Sequence, residues 1–175
     1  MAEDEAEPSA PDLAPDAGLE AVEPVQEPDT PPAPARERVP YLGFYLGSEV
    51  YGLPLRELRE VAHLTRLRRI PGAPSGVAGL VNMRGEIVCA LDVRGILGLT
   101  AQAPGDASFL LALRDFADPV GLIVDSIADI YAIDPGEIEP PPTTWPAERS
   151  ACFVGTIRVP EGMMGLLDVN RVLKT

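Results

Sequence analysis

Cysteine, histidine and tryptophan are almost missing from this chain, with two, one and one among 175 residues. His63 has no second histidine and no cysteine pair at ligand spacing beside it, so a zinc site lacks its raw material. The cysteines, Cys89 and Cys152, stand in separate apolar runs with no C-x-x-C. They read as small buried hydrophobes of a reduced compartment. Nine aromatics, scattered singly, do not make the stacking platform that single-stranded nucleic acid requires. Basic residues are outnumbered 14 to 27, for a formal net charge of −13. Such a chain repels phosphate backbones and anionic membrane surfaces alike. No apolar run approaches the roughly eighteen residues of a bilayer span. The opening Met-Ala-Glu-Asp-Glu has no basic region followed by an apolar core, so a cytoplasmic location is expected. Phosphate-loop, dinucleotide and nucleophile-elbow motifs are absent too, and no cofactor is expected. Asp92, Asp125, Asp129 and Asp168 remain as a carboxylate set for acid–base work. Asp92 and Asp168 are better explained as helix caps, worth about 0.5–2 kcal/mol each. The expectation is therefore no enzyme. A small-barrel enzyme using Asp92 and Asp168 is the weakest reading.

What is present divides at about residue 40. The first forty residues hold eleven acids, two arginines and nine prolines, with no aromatic residue. That composition cannot bury enough apolar surface to offset the entropy of ordering it, which predicts a disordered acidic tail over 1–40. Residues 41–175 carry sixteen acids against twelve basic residues, a net of −4, and form the ordered part.

The ordered part centres on Val77–Leu97. Two apolar runs, Val77–Val81 and Ile87–Leu91, flank Asn82-Met83-Arg84-Gly85-Glu86, a hairpin signal that lifts Arg84 to the turn. Asp92 then predicts a short helix through Leu97, closed by Gly98. Seventy-six residues on, Phe153–Ile157 and Met163–Val169 repeat the hairpin, with Gly155 under Gly79 and Asp168 under Asp92. An earlier segment recurs at a spacing of 69, Gly52–Leu55 against Gly121–Val124, Leu58 against Ile127 and Glu60 against Asp129. Two matches in the same order, with a longer linker around Pro140-Pro141-Pro142, indicate an internal duplication.

Strands are expected at Tyr41–Leu46, Val50–Leu55, Ser108–Leu113, Val120–Val124 and Asp129–Ile133. Apolar spacing of three from Leu55 to Leu64 fits a helical turn or a twisted strand equally. Arg66-Leu67-Arg68-Arg69-Ile70 reads as a solvated edge strand ahead of Pro71-Gly72, with a partner-binding patch as the alternative. Val169–Lys174 predicts a second short helix. Many short strands with turns every eight to twelve residues argue for β-barrels, and the duplication for two of them packed on a shared apolar seam.

Tyr51-Gly52-Leu53-Pro54-Leu55, Leu58-Arg59-Glu60-Val61, Ile70–Pro74, Val77–Gly85 and Leu91-Asp92-Val93-Arg94, in that order, resemble the CheW-like domain of bacterial chemotaxis coupling proteins. Val120–Asp125 and Pro140-Pro141-Pro142 extend the resemblance over about 41–175. It implies an all-β fold with short helices, built as two SH3-like five-stranded barrels around a hydrophobic seam. It also implies an adaptor with no activity of its own, bridging the cytoplasmic tip of chemoreceptors and a CheA-type histidine kinase at membrane-bound arrays. One face would take the receptor helices. Another would mate with the kinase's own CheW-like regulatory domain, through residues the resemblance leaves unassigned. Glu60 and Arg84 fall on the receptor-facing pair, and Leu55, Leu58, Val61, Gly121, Ile127 and Ile130 on apolar positions around it. An amphipathic receptor helix in an aliphatic groove, with a charged pair fixing register, is physically consistent with that transfer. Cys89 stands where the family often has proline, and Met83 where leucine is common. A non-flagellar chemosensory pathway, governing surface motility or gene expression, would use the same domain.

Overall fold

The computed structural model describes residues 37–174. The expected tail lies outside them, apart from its last four residues. Strand β1 (Val39–Leu46) turns through Gly47, at φ +62°, into β2 (Glu49–Pro54). One 3-10 turn, Leu55–Glu57, leads directly into β3 (Leu58–His63), so the ambiguous spacing of three is a turn followed by a strand. The arginine-rich stretch contributes only the two-residue β4 (Leu67–Arg68). Next come β5 (Val77–Met83), β6 (Glu86–Leu91), β7 (Phe109–Leu113), β8 (Val120–Val124) and β9 (Ser126–Ile133). Helix α1 (Ala147–Ala151), β10 (Phe153–Val159), β11 (Gly162–Leu167) and α2 (Val169–Val172) complete the chain.

Two local expectations fail, the helix after Asp92 and a strand at Cys152. Asp92–Leu97 is a run of turns, because Asp92 Oδ1 accepts from Arg94 N–H at 3.0 Å and also holds the Arg94 guanidinium. A helix cap instead accepts from an amide that continues into helical bonds. Asp168 does that for α2, accepting from Arg171 N–H at 3.2 Å. Cys152 is not in a strand but at the C-terminal end of α1, a helix within the Pro-rich linker that the sequence did not announce.

The strands form two mixed sheets, β10-β11-β2-β1-β9 and β3-β7-β8-β6-β5-β4. Each sheet draws on both copies of the repeat. Gly52 pairs with Leu166 across a parallel β2–β11 contact, and Gly121 with Ala90 across a parallel β8–β6 contact. These are equivalent pairs, related by the repeat offsets of 69 and 76. Register breaks at Val77/Gly79 in β5 and at Phe153/Gly155 in β10, again 76 apart. The interleaving has a covalent reason. Only one 3-10 turn separates β2 from β3, and only Asp125 separates β8 from β9. A parallel or antiparallel return within the same sheet needs a hairpin or a long crossover, so each of β3 and β9 leaves for the other sheet.

The expected barrels therefore appear as a five-stranded and a six-stranded sheet. The six-stranded one is strongly curved, since Glu60 of β3 reaches Arg84 beside β5, four places away in strand order. β4 covers the β5 edge, and Glu139 makes the equivalent single bridge to Thr156 of β10. Gly79 and Gly155 permit this. A Cβ on either would collide with the carbonyl of Arg68 or Glu139 respectively. Each sheet has its own apolar interior, Val81, Val88, Leu110 and Ile123 in one and Val50, Ile133, Met164 and Leu166 in the other. The largest cluster lies between them, with Phe44, Tyr51, Leu58, Leu111, Leu122, Phe153 and Leu167, which is the expected seam.

Candidate functional site

The β5–β6 turn has both central residues in the left-handed region, Arg84 at φ +52° and Gly85 at φ +91°. That is the two-residue hairpin geometry whose twist matches the strands it joins. Asn82 Oδ1 accepts from Gly85 N–H at 2.9 Å and fixes the turn. Gly85 suits its conformation, whereas an arginine in the left-handed region is uncommon. The turn holds Arg84 82% exposed, with its Nε 2.8 Å from Oε1 of Glu60, itself 26% exposed. A second ion pair, Arg59 with Glu86, lies at the other side of the same hairpin. So neighbouring residues of β3, one cationic and one anionic, each grip an opposite charge on the hairpin. The Arg59–Glu86 pair escaped the sequence reading, although the alternating signs at 59, 60, 84 and 86 carried the signal.

Glu60 and Arg84 line a groove of about 210 Å³ with Ala62, His63, Thr65, Val81, Asn82 and Met83. His63 lies against Phe109, ring centroids 4.3 Å apart, a packing role. Thr65, Val81 and Asn82 also border a neighbouring groove of about 730 Å³ that runs to Arg66, Arg68, Leu80 and Ile87.

The other expected site residues are divided. Leu58, 5% exposed, belongs to the seam, and half-buried Leu55 and Ile127 pack against it. Gly121 is buried in β8, where a Cβ would meet the Leu110 side chain and the Leu111 carbonyl. Val61 and Ile130 are equivalent positions on β3 and β9, both exposed. They pair with Leu111 and Leu42, both members of the seam cluster, and so lie on the seam-side faces of the two sheets. Glu60 and Arg84 thus meet at the exposed β3 edge, while Val61, next to Glu60, faces the other side of β3. Leu55, Leu58 and Ile127 form the apolar layer beneath the seam, and Ile130 stands on the opposite sheet.

The aspartates are engaged elsewhere. Arg94, with a side chain only 2% exposed, joins Asp92 at 3.0 Å and Asp125 at 2.5 Å. Asp125 also accepts from Gly47 N–H at 2.6 Å. One buried guanidinium therefore ties the loop after β6 to the crossover before β9 and to the β1–β2 turn in the other sheet. Burial pushes the Cys89 and Cys152 thiols up, the latter helped by the Asp168 carboxylate, which keeps both protonated and unreactive at neutral pH. No helix among the described residues is long and apolar enough to cross a membrane.

A CheW-like domain family model matches residues 40–175. Chemotaxis protein CheW of Klebsiella aerogenes is 25% identical over 135 residues, covering 77% of this chain and 81% of that protein. Protein PilI of Pseudomonas aeruginosa is 30% identical over 86 residues, 49% of this chain and 48% of the relative. The crystal structure of the scaffolding protein TtCheW from Thermoanaerobacter tengcongensis superposes with a TM-score of 0.70 at 25% identity, covering 79% of this chain and 89% of that one.

Proposed function

The chain belongs to the CheW-like domain family and is a coupling scaffold of chemotaxis-type signalling; on that premise we propose that it bridges chemoreceptors to a CheA-type histidine kinase. The receptor's cytoplasmic helical tip docks along the exposed seam rim, with Val61 and Ile130 as apolar contacts. Leu55, Leu58, Ile127 and Gly121 act from beneath, by holding β3, β8 and β9 where those contacts need them. The Glu60–Arg84 pair sets the register of the docked helix. An exposed pair of this kind adds under about 1 kcal/mol to folding, which makes recognition its better use. The observation that carries the reading is Arg84 itself, an exposed arginine held at φ +52° on a rigid hairpin. Conformations of this kind are held by the surrounding structure and cluster at ligand clamps and switch regions.

The kinase's regulatory domain occupies a different face, and catalysis is left to the kinase. The protein works in the cytoplasm at membrane-bound receptor arrays. In a reconstituted receptor–kinase assay, Arg84→Glu is expected to fold normally and leave kinase activity unresponsive to receptor state. Full coupling by that variant removes Arg84 from the site. The similarity to PilI favours a second reading, in which the same scaffold serves a non-flagellar pathway.

A further inference from the structure

The duplication leaves one half-site filled and its equivalent bare. In the five-stranded sheet, Tyr51 of β2 pairs with Gly165 of β11, and this face is covered by α1. Arg149 of α1 binds the Glu49 carboxylate and the Tyr51 hydroxyl, and lies 4.3 Å from the centre of the Trp145 ring. Trp145 in turn packs on Phe153, centroids 4.8 Å apart, and Tyr51 is left 1% exposed. In the six-stranded sheet the equivalent pair is Val120 with Cys89, by the same offsets of 69 and 76. Both are only half-buried, and Ile87 beside them is 53% exposed. The counterpart of Glu49 is Asp118, again acidic, exposed and without an ion pair among the described residues. The missing element has a simple origin. Thirteen residues, 140–152, join the Glu139 bridge to β10, whereas eight, 69–76, join β4 to β5. The shorter connection has no room for a covering helix.

We propose that the β6–β8 face around Ile87, Cys89 and Val120 is a docking site for a short helix of a partner protein. An aromatic residue just ahead of that helix lies on the sheet as Trp145 does and, four residues later, an arginine on the helix pairs with Asp118. The chain itself supplies the template: the same sheet geometry, one offset away, takes such a helix with its arginine on the equivalent carboxylate. The site borders the Glu60–Arg84 groove through Asn82 and Ile87, but its ion pair is made by Asp118 and involves neither Glu60 nor Arg84.

The test uses the ¹⁵N-labelled full chain and a capped peptide of residues 142–152 bearing Cys152→Ser. One exposed ion pair and a few apolar contacts should give a dissociation constant of roughly millimolar order. The expected result is progressive shifts of the Ile87, Cys89 and Val120 amides on titration. Asp118→Arg, on an exposed turn and checked for unchanged dispersion elsewhere, should abolish them. A peptide with Arg149→Glu should fail on the unaltered chain and regain binding on Asp118→Arg. Silence of those amides at several millimolar peptide overturns the proposal, as do shifts indifferent to the charge at 118.

Discussion

Replacing Arg84 with residues that differ in their tolerance of φ +52° separates its conformational cost from its role in recognition. A left-handed conformation costs an ordinary L-residue about 1–2 kcal/mol, and glycine or asparagine much less. Against that relief stand the Glu60 ion pair, 82% exposed on the arginine side and worth under about 1 kcal/mol, and, for glycine, an unfolded-state entropy cost of about 0.5–1 kcal/mol. Arg84→Gly should therefore sit within about 1 kcal/mol of the natural chain, and Arg84→Asn should equal or exceed it. Arg84→Val, β-branched at positive φ, should fall about 1–2 kcal/mol below, roughly 3–8 °C in melting temperature. All three should uncouple kinase output from receptors in reconstitution, because none supplies the guanidinium. Urea unfolding and the coupling assay on the same preparations decide the matter. A glycine variant that loses more than about 2 kcal/mol makes Arg84 a structural residue. One that couples normally makes it a bystander.

Arg94→Met should cost about 3–5 kcal/mol in chemical denaturation, since it strips the shared cation from Asp92 and Asp125; a loss below 1 kcal/mol refutes the strut. Gly79→Ala, at φ +152° and facing the Arg68 carbonyl, should lower stability by roughly 2 kcal/mol and loosen β4, visible as faster amide exchange at Leu80 and Val81. Burial, then the Glu49 carboxylate, raises the Tyr51 phenol above its ordinary value of 10.0. Stability tied to its proton is therefore intact below pH 10 and lost as pH rises further, when the unfolded chain ionises and the folded one does not. Melting curves from pH 9 to 11 should steepen this loss in the natural chain relative to Tyr51→Phe.

The hairpins were legible because their signals are local. Apolar runs on either side of Asn82–Glu86 signal the turn, and Gly79 and Gly155 align the two copies, where the structure places a bulge in each. The repeat offsets relate the two parallel pairs, Gly52–Leu166 and Gly121–Ala90, but nothing in the sequence said that those strands would meet. The exchange of strands between sheets was not legible. It follows from how little chain separates β2 from β3, a constraint that matters only once both sheets exist. Asp92 misled because a carboxylate before an apolar turn looks the same whether it caps a helix or holds an arginine two residues on. Nothing in the sequence set Arg94 apart, and only the folded chain shows Asp125 arriving from 31 positions away. At the site, Glu60 and Arg84 met as expected, while the apolar positions sorted by burial, which periodicity around a bulge at Leu58/Glu60 cannot resolve.

The two copies of the repeat are joined rigidly and differ at their surfaces. The joining is covalent and electrostatic: each sheet borrows a two-strand hairpin from the other copy, and the Arg94–Asp125–Gly47 chain spans both. The copies diverge where they reach solvent. Arg68, opposite Leu80, is matched by Glu139, opposite Thr156, so equivalent sheet edges carry opposite charge. The strut is not duplicated either, since Asn170 stands where the offset from Arg94 falls. Equivalent positions in the seam stay apolar in both copies, Leu58 with Ile127 and Leu42 with Leu111. Core positions cannot diverge without losing several kcal/mol of packing, whereas exposed ones diverge at almost no cost. Two unlike surfaces on one stiff body are what that asymmetry yields.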